Sequence, residues 1–221
     1  MSEELEFEPI PGLPGLLPPG ETLLWQGRPS WRSLARHTFE VRWLAVYFAV
    51  FTLLRGLVQL KDGRTPGEAL LGSLVVVPAA LVCLGLFTLL AFLNARATVY
   101  SITSKRVVMR FGIAFPMTFN LPFRRIAAAD LSLRPDGDGD LALRLSGSGR
   151  IAWLHLWPHA RPWHFRHAQP MLRGVPDAAR VAALLAGAVQ AWAQAEPQAA
   201  RSVQSQPAPV LGALAQAGSH S

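Results

Sequence analysis

The sequence predicts an α+β membrane protein: a two-helix transmembrane hairpin plus an antiparallel β-sandwich that one C-terminal helix caps. Three observations predict it. Two apolar runs, 41–60 and 69–93, are each long enough to cross a bilayer, and only the turn-forming stretch "KDGRTPGE" separates them. Beyond residue 97 the pattern changes to short alternating segments broken by Gly, Asp and Ser. Last comes a segment, 176–195, with apolar residues at helical spacing.

Composition agrees with this class. Of the 221 residues 51% are hydrophobic, and the mean hydropathy is positive at +0.26. The formal net charge of +7 rests almost wholly on arginine, since Lys61 and Lys105 are the only lysines. A basic balance suits nucleic acid or the anionic inner face of a membrane. The hydropathy decides for the membrane, so no nucleic-acid partner is expected. Cys83 is the single cysteine, which leaves neither an intrachain disulfide nor a cysteine-based zinc site.

Residues 1–20 read as an irregular leader, acidic and then Pro/Gly-rich. With no apolar core in the first thirty residues, insertion is expected to use the internal runs rather than a signal peptide. Within the pre-membrane segment 21–40, the short apolar core Leu23, Leu24 and Trp25 suits either a strand or an interfacial element. Twenty helical residues span about 30 Å, the thickness of the hydrocarbon core, which makes 41–60 the first span. Arg55 interrupts it near its far end, where a long side chain can snorkel to the headgroups. The second span, 69–93, carries no charge; Pro78 is tolerable there because neighbouring groups can satisfy the freed carbonyl. Arg55 and the small residues Gly72, Ser73, Ala79 and Ala80 suit helix packing, within a chain or in a homo-oligomer.

Arginines set the orientation. Arg28, Arg32, Arg36 and Arg42 precede the first span, and Arg96, Lys105, Arg106 and Arg110 follow the second. The loop 61–68 has only Lys61 and Arg64, offset by Asp62 and Glu68. Both termini are therefore expected in the cytoplasm, with the loop outside.

The domain 97–195 follows. Strands are predicted at 98–103, 106–111, 117–123, 125–134, 140–146 and 150–156, linked by hairpin signals such as "PDGDG" and "GSG". In the helix 176–195, Val181, Leu184, Leu185, Ala188, Val189 and Trp192 share one face. Residues 196–221, rich in Ala, Gln, Pro and Ser, read as a disordered tail.

A small antiparallel sandwich closed by one helix is the pleckstrin-homology (PH) architecture. The stretches "ETLLWQGRPS", "ATVYSITSKRVVMRFG" and "LPFRRIAAADL" resemble the bacterial PH-like membrane proteins, with a signature at Tyr100, Ile102, Thr103, Arg106 and Val107. Over about residues 10–190 the sequence, including "WLHLWPHARPWHFRHAQPMLRGVPDAARVAALLA", resembles the PuhB-type photosynthetic-complex assembly family of purple bacteria. That resemblance implies a non-enzymatic role in building the reaction centre and its core antenna in the bacterial inner (intracytoplasmic) membrane, with their subunits as partners. A general PH-like scaffold or lipid-binding protein unrelated to photosynthesis is the alternative, and a haem or pigment carrier a third reading.

Residues 153–167 pack four histidines, three tryptophans and two prolines together. His155 and His159 are four apart, and His164 and His167 three apart. On a helix either spacing suits a metal, but Pro158 and Pro162 break any helix there and no carboxylate lies nearby. Neither span contains a histidine for a pigment magnesium, so no metal or cofactor is expected. The reading that uses all the residue types is an exposed contact surface over 153–173: Arg150, Trp157, His159, Arg161, Trp163, His164, Arg166 and Arg173 facing a partner or anionic lipid. The competing reading puts the tryptophans in the core, Trp153 first. Eleven Lys/Arg against four Asp over 97–175 would reinforce lipid attraction, or only keep the domain soluble. "PDGDGD", 135–140, lacks the acidic twelfth ligand of a calcium loop and reads as a turn. No nucleophile–base pattern or phosphate-binding loop is present, so no enzyme is expected.

Overall fold

The computed structural model describes residues 12–13, 15–146, 156–162, 164 and 168–204. Its helical hairpin interrupts a sheet. Strand β1 (Leu23–Gly27) pairs antiparallel with β2 (Val99–Thr103), so chain neighbours in the sheet are separated by every helix of the hairpin. β3 (Arg106–Phe111) and β4 (Met117–Pro122) complete the order β1-β2-β3-β4. A second antiparallel sheet has the order β5-β6-β7, from Ile126–Leu133, Gly139–Leu145 and Met171–Val175. Leu23–Trp25 thus lies in a strand and is not an interfacial element, and through β1 the segment before the helical hairpin joins the first sheet.

Five of the predicted strands stand where the sequence placed them, to within a residue or two at their ends. The sixth, 150–156, falls outside the described residues except for Leu156, which is fully buried. β7 was not foreseen. Its five residues are all buried, so it has none of the alternation that marks a half-exposed strand.

Helix α1 (Trp31–His37) starts at Ser30, whose hydroxyl accepts from the Ser33 amide. Helix α2 (Val41–Lys61) buries none of its residues. The second apolar run is broken: α3 (Pro66–Leu74) and α4 (Val76–Ala97) meet at Val75. Pro78 lacks the amide hydrogen that would bond the carbonyl four residues back, at Leu74, so the ladder fails there. Both arms, Val41–Lys61 and Pro66–Ala97, are long and apolar enough to cross a membrane. Arg55 does not reach along the helix to an end. Its Nε donates to the Gly72 carbonyl at 3.0 Å, in the last turn of α3, where carbonyls lack helical partners. Ser73 and Ala80 are buried inside the chain's own helix packing.

α1 lies against the last turns of α4, where Leu34, Ala35, Ala91 and Ala95 form a small apolar cluster and Trp31 meets Phe92 edge-on. Gly174 in β7 makes room for α1: it has a positive φ of 57°, and a Cβ there would lie 2.8 Å from Leu34. The C-terminal helix α5 (Ala178–Gln204) caps the sandwich with Ala178, Val181, Leu185 and Ala188 buried. Trp192 meets Phe123 edge-on. α5 runs past the expected end at 195; residues 205–221 lie outside the described chain.

Candidate functional site

The signature residues build the β2–β3 hairpin. Thr103 Oγ1 accepts from the amides of Lys105 and Arg106 and donates to the Arg106 carbonyl. Ile102 and Val107 are fully buried. Arg106 pairs with Glu21 at 2.7 Å, tying the segment before β1 to the start of β3. Four of the five positions therefore serve the fold.

Tyr100 does more. Its hydroxyl lies 2.8 Å from His159 Nδ1, and the Arg173 amide donates to the same hydroxyl at 3.1 Å. On the other side of the imidazole, His159 Nε2 lies 3.1 Å from Asn94 Oδ1 and 3.2 Å from Thr98 Oγ1. The Thr98 hydroxyl gives its own proton to the Asn94 carbonyl at 2.7 Å, so it can only accept from the histidine. One proton arrangement satisfies every group: Nε2 carries the hydrogen and donates to Asn94 and Thr98, while Nδ1 accepts from Tyr100. This tautomer is assigned from the network.

The four side chains and the Arg173 amide come from different places. Asn94 lies in the last turn of α4, Thr98 is its C-cap, Tyr100 lies in β2, Arg173 in β7, and His159 in the segment between β6 and β7. Backbone bonds hold that segment antiparallel to the start of β7: the Arg161 amide donates to the Gln169 carbonyl, and the Met171 amide to the His159 carbonyl. Phe111 tilts over the imidazole at 4.7 Å. The node thus joins the end of the apolar hairpin to both sheets.

Electrostatics fix its charge state. Burial pulls the His159 pKa down to about 3, with the nearby Arg173 charge adding to the effect, so the ring is neutral near pH 7. Burial raises the Tyr100 hydroxyl above the usual phenol value. Burial also lowers Arg173, while the Asp140 charge opposes that shift. The neutral His159 ring, bonded at both nitrogens, ties these elements together, while the Arg173 Nε in the same node is buried without a hydrogen-bond partner. Among the described residues no group of three His, Cys, Asp or Glu side chains could hold a metal.

The expected contact surface divides. His159 and Arg173 are buried, at 0% and 9% exposure, because β7 and the segment paired with its start run through the stretch read as an exposed loop. Trp157 is half exposed, its ring edge-on to Phe39, which in turn meets Phe87 of α4. Arg161 pairs with Asp130 at 2.8 Å and donates to Gln169 Oε1; the Arg161 hydrogen bond, with Arg144 nearby, holds the Asp130 carboxyl below its ordinary pKa. His164 Nδ1 lies 2.8 Å from the Pro162 carbonyl. Arg150, Trp163 and Arg166, with Trp153, His155 and His167, lie outside the described residues. "PDGDGD" forms the β5–β6 turn, where Arg134 pairs with Asp140. Asn94 and Thr98 had gone unnoticed; the available signal was an amide in the last turn of an otherwise apolar helix.

A family model described as "Bacterial PH domain" matches residues 46–189, from within α2 to the C-terminal helix. The chain belongs to that family. The matched unit includes most of the helical hairpin, so in this bacterial PH protein the helices and the sandwich form one recognisable whole. The chain is also 42% identical over 190 residues to a Rhodobacter capsulatus protein described as an "Uncharacterized 23.7 kDa protein in puhA 5'region", covering 85% of this chain and 88% of the relative. No solved structure matches the chain.

Proposed function

We propose that this PH-like protein is a non-enzymatic assembly factor of the inner membrane, which stages subunits of the photosynthetic reaction centre and core antenna. The observation that carries the reading is the relative encoded beside puhA, a reaction-centre gene, together with the match along most of both chains. The resemblance of "LRLSGSGRIAWLHLWPHARPWHFRHAQPMLRGV" to the PuhB-type family points the same way.

In this reading α2 and the broken helix α3–α4 cross the membrane, both termini and the sandwich lie in the cytoplasm, and the loop 61–68 faces outside. Two features support it. α2 buries no residue, whereas a core helix of a soluble protein would be covered. The arginines also cluster at the ends where the sandwich sits. The His159 node then holds the sandwich at a fixed angle to the helix that leaves the bilayer. Trp157 and, six residues on in the sequence, Trp163 supply the contact with nascent subunits, and the arginines of the same stretch of sequence favour anionic headgroups or acidic partner segments.

The test is a photo-crosslinking amino acid placed at Trp157 or Trp163 in the full chain, expressed during the onset of pigment synthesis. Cross-links to reaction-centre or core-antenna subunits are the expected result. Cross-links confined to lipid would favour the general membrane scaffold.

A further inference from the structure

We infer that the β3–β4 hairpin tip, residues 112–116, seats Ile113 and Phe115 in the same lipid leaflet at which α4 ends. This gives the sandwich a third membrane attachment beside the two helical arms. The inference rests on the reading that those arms cross a membrane.

Exposure singles out this tip. Phe115 is 83% exposed and Ile113 49%, and from Phe111 to Phe123 the chain carries no charge. The other described hairpin turns are ordinary solvent turns: Lys105 lies in the β2–β3 turn, and Asp136 and Asp138 in the β5–β6 turn. Two bare apolar side chains at a loop tip have no folding reason to be there, since neither packs on the core.

The register puts the tip at the right height. Val99 pairs with Arg110, and Val99 is two residues beyond Ala97, where α4 ends. The tip begins two residues after Arg110, level with the emerging helix. The opposite end of β3, at Lys105 in the β2–β3 turn, lies about 16–20 Å away at roughly 3.3 Å per strand residue. Arg96, exposed in the last turn of α4, sits on the same level, where a basic side chain meets anionic headgroups.

The tip is also shaped in advance. Gly112 has a φ of 120°, and a Cβ there would lie 2.1 Å from the Phe115 carbonyl oxygen, so only glycine permits this turn. Pro116 restricts its other side. Beneath it Phe111 and Phe119 stack at 5.3 Å, and Phe111 leans on His159. Insertion therefore orders little that is not already ordered, and the buried node supports the tip from below.

The experiment uses the full chain carrying Cys83→Ala, with one new cysteine labelled by an environment-sensitive fluorophore and reconstituted at low density in vesicles containing anionic lipid. Phe115→Cys reports the tip, and Ile113→Cys repeats it. Lys105→Cys marks the distal turn, and Leu53→Cys marks the middle of α2. The expected result is a label at 115 quenched by lipids bearing a nitroxide near the headgroup and reduced by aqueous dithionite severalfold more slowly than the label at 105. A label at 115 as reactive as that at 105, with 53 protected, overturns the tip insertion and leaves the spans standing. Protection at 115 without lipid quenching means that protein covers it, which also overturns the inference. Reactivity at 53 sinks the membrane reading itself.

Discussion

The Tyr100 hydroxyl donates to His159 Nδ1 across 2.8 Å, and through that bond the first strand after the apolar hairpin is locked to the segment that leads into the last strand. Removing the hydroxyl alone leaves His159 Nδ1 without a donor and the Arg173 amide without its acceptor. Tyr100→Phe keeps the packing and is expected to cost about 1–3 kcal/mol, the penalty for a buried polar group left unpaired. The check is a fall in apparent Tm of the purified full chain in detergent; an unchanged Tm would show that the node bears no strain of the fold.

His159 also gives the protein an acid dependence. Its folded pKa, about 3, lies below the ordinary value of 6.5. Between those values the unfolded chain binds a proton that the folded chain refuses, so stability falls as pH drops through that window. The limit is about 1.4 kcal/mol per pH unit. Above pH 6.5 this group contributes no slope. Apparent Tm measured from pH 7.5 down to 4.5 should decline, and His159→Gln should flatten the decline while lowering the plateau.

The Arg106–Glu21 pair predicts a local effect. Glu21 is almost wholly buried and Arg106 mostly so. Glu21→Gln removes the charge partner of a charge-assisted bond, worth about 1.5–3 kcal/mol when intact. Because the pair ties β1 into the sheet from outside the helices, limited proteolysis should cut near residues 15–27 faster in the variant, with β2–β4 still protected.

Leu185 tests the cap. It is 2% exposed and faces the sandwich core from the C-terminal helix. Leu185→Ala is expected to destabilise by about 2–5 kcal/mol through the cavity it leaves. Leu184→Ala, on the partly exposed flank of the same helix, should cost distinctly less by the same thermal assay.

Much of this was legible in advance because two periods separate cleanly. Leu141, Leu143 and Leu145 alternate as a half-exposed strand must, and Val181, Leu185 and Ala188 recur as a helix face must. β7 was hidden because both its faces are buried, and its Arg173 looks like a surface residue. The node was hidden for a related reason. Its members, Asn94, Thr98, Tyr100, His159 and Arg173, are scattered over eighty residues, and a histidine that looks like a ligand or a contact in a Trp- and Pro-rich loop is instead a buried hydrogen-bond hub. The break at Val75 follows from Pro78, whose effect the surrounding apolar run conceals.

The Trp-rich stretch around Trp157 carries the functional side of the account. Trp157 is half exposed over Phe39, so Trp157→Ala together with Trp163→Ala should weaken recovery of reaction-centre subunits with the tagged protein while the Tm of the chain stays close to the parent. A collapse of the fold would instead place these rings in the core.

The most direct test of the central claim is the near-infrared absorption spectrum of membranes from a strain lacking the gene, grown under pigment-forming conditions. The account predicts loss of the reaction-centre and core-antenna bands while pigment synthesis continues, restored by the intact gene. A spectrum identical to that of the parent strain would contradict a role in assembly and move the general membrane scaffold ahead.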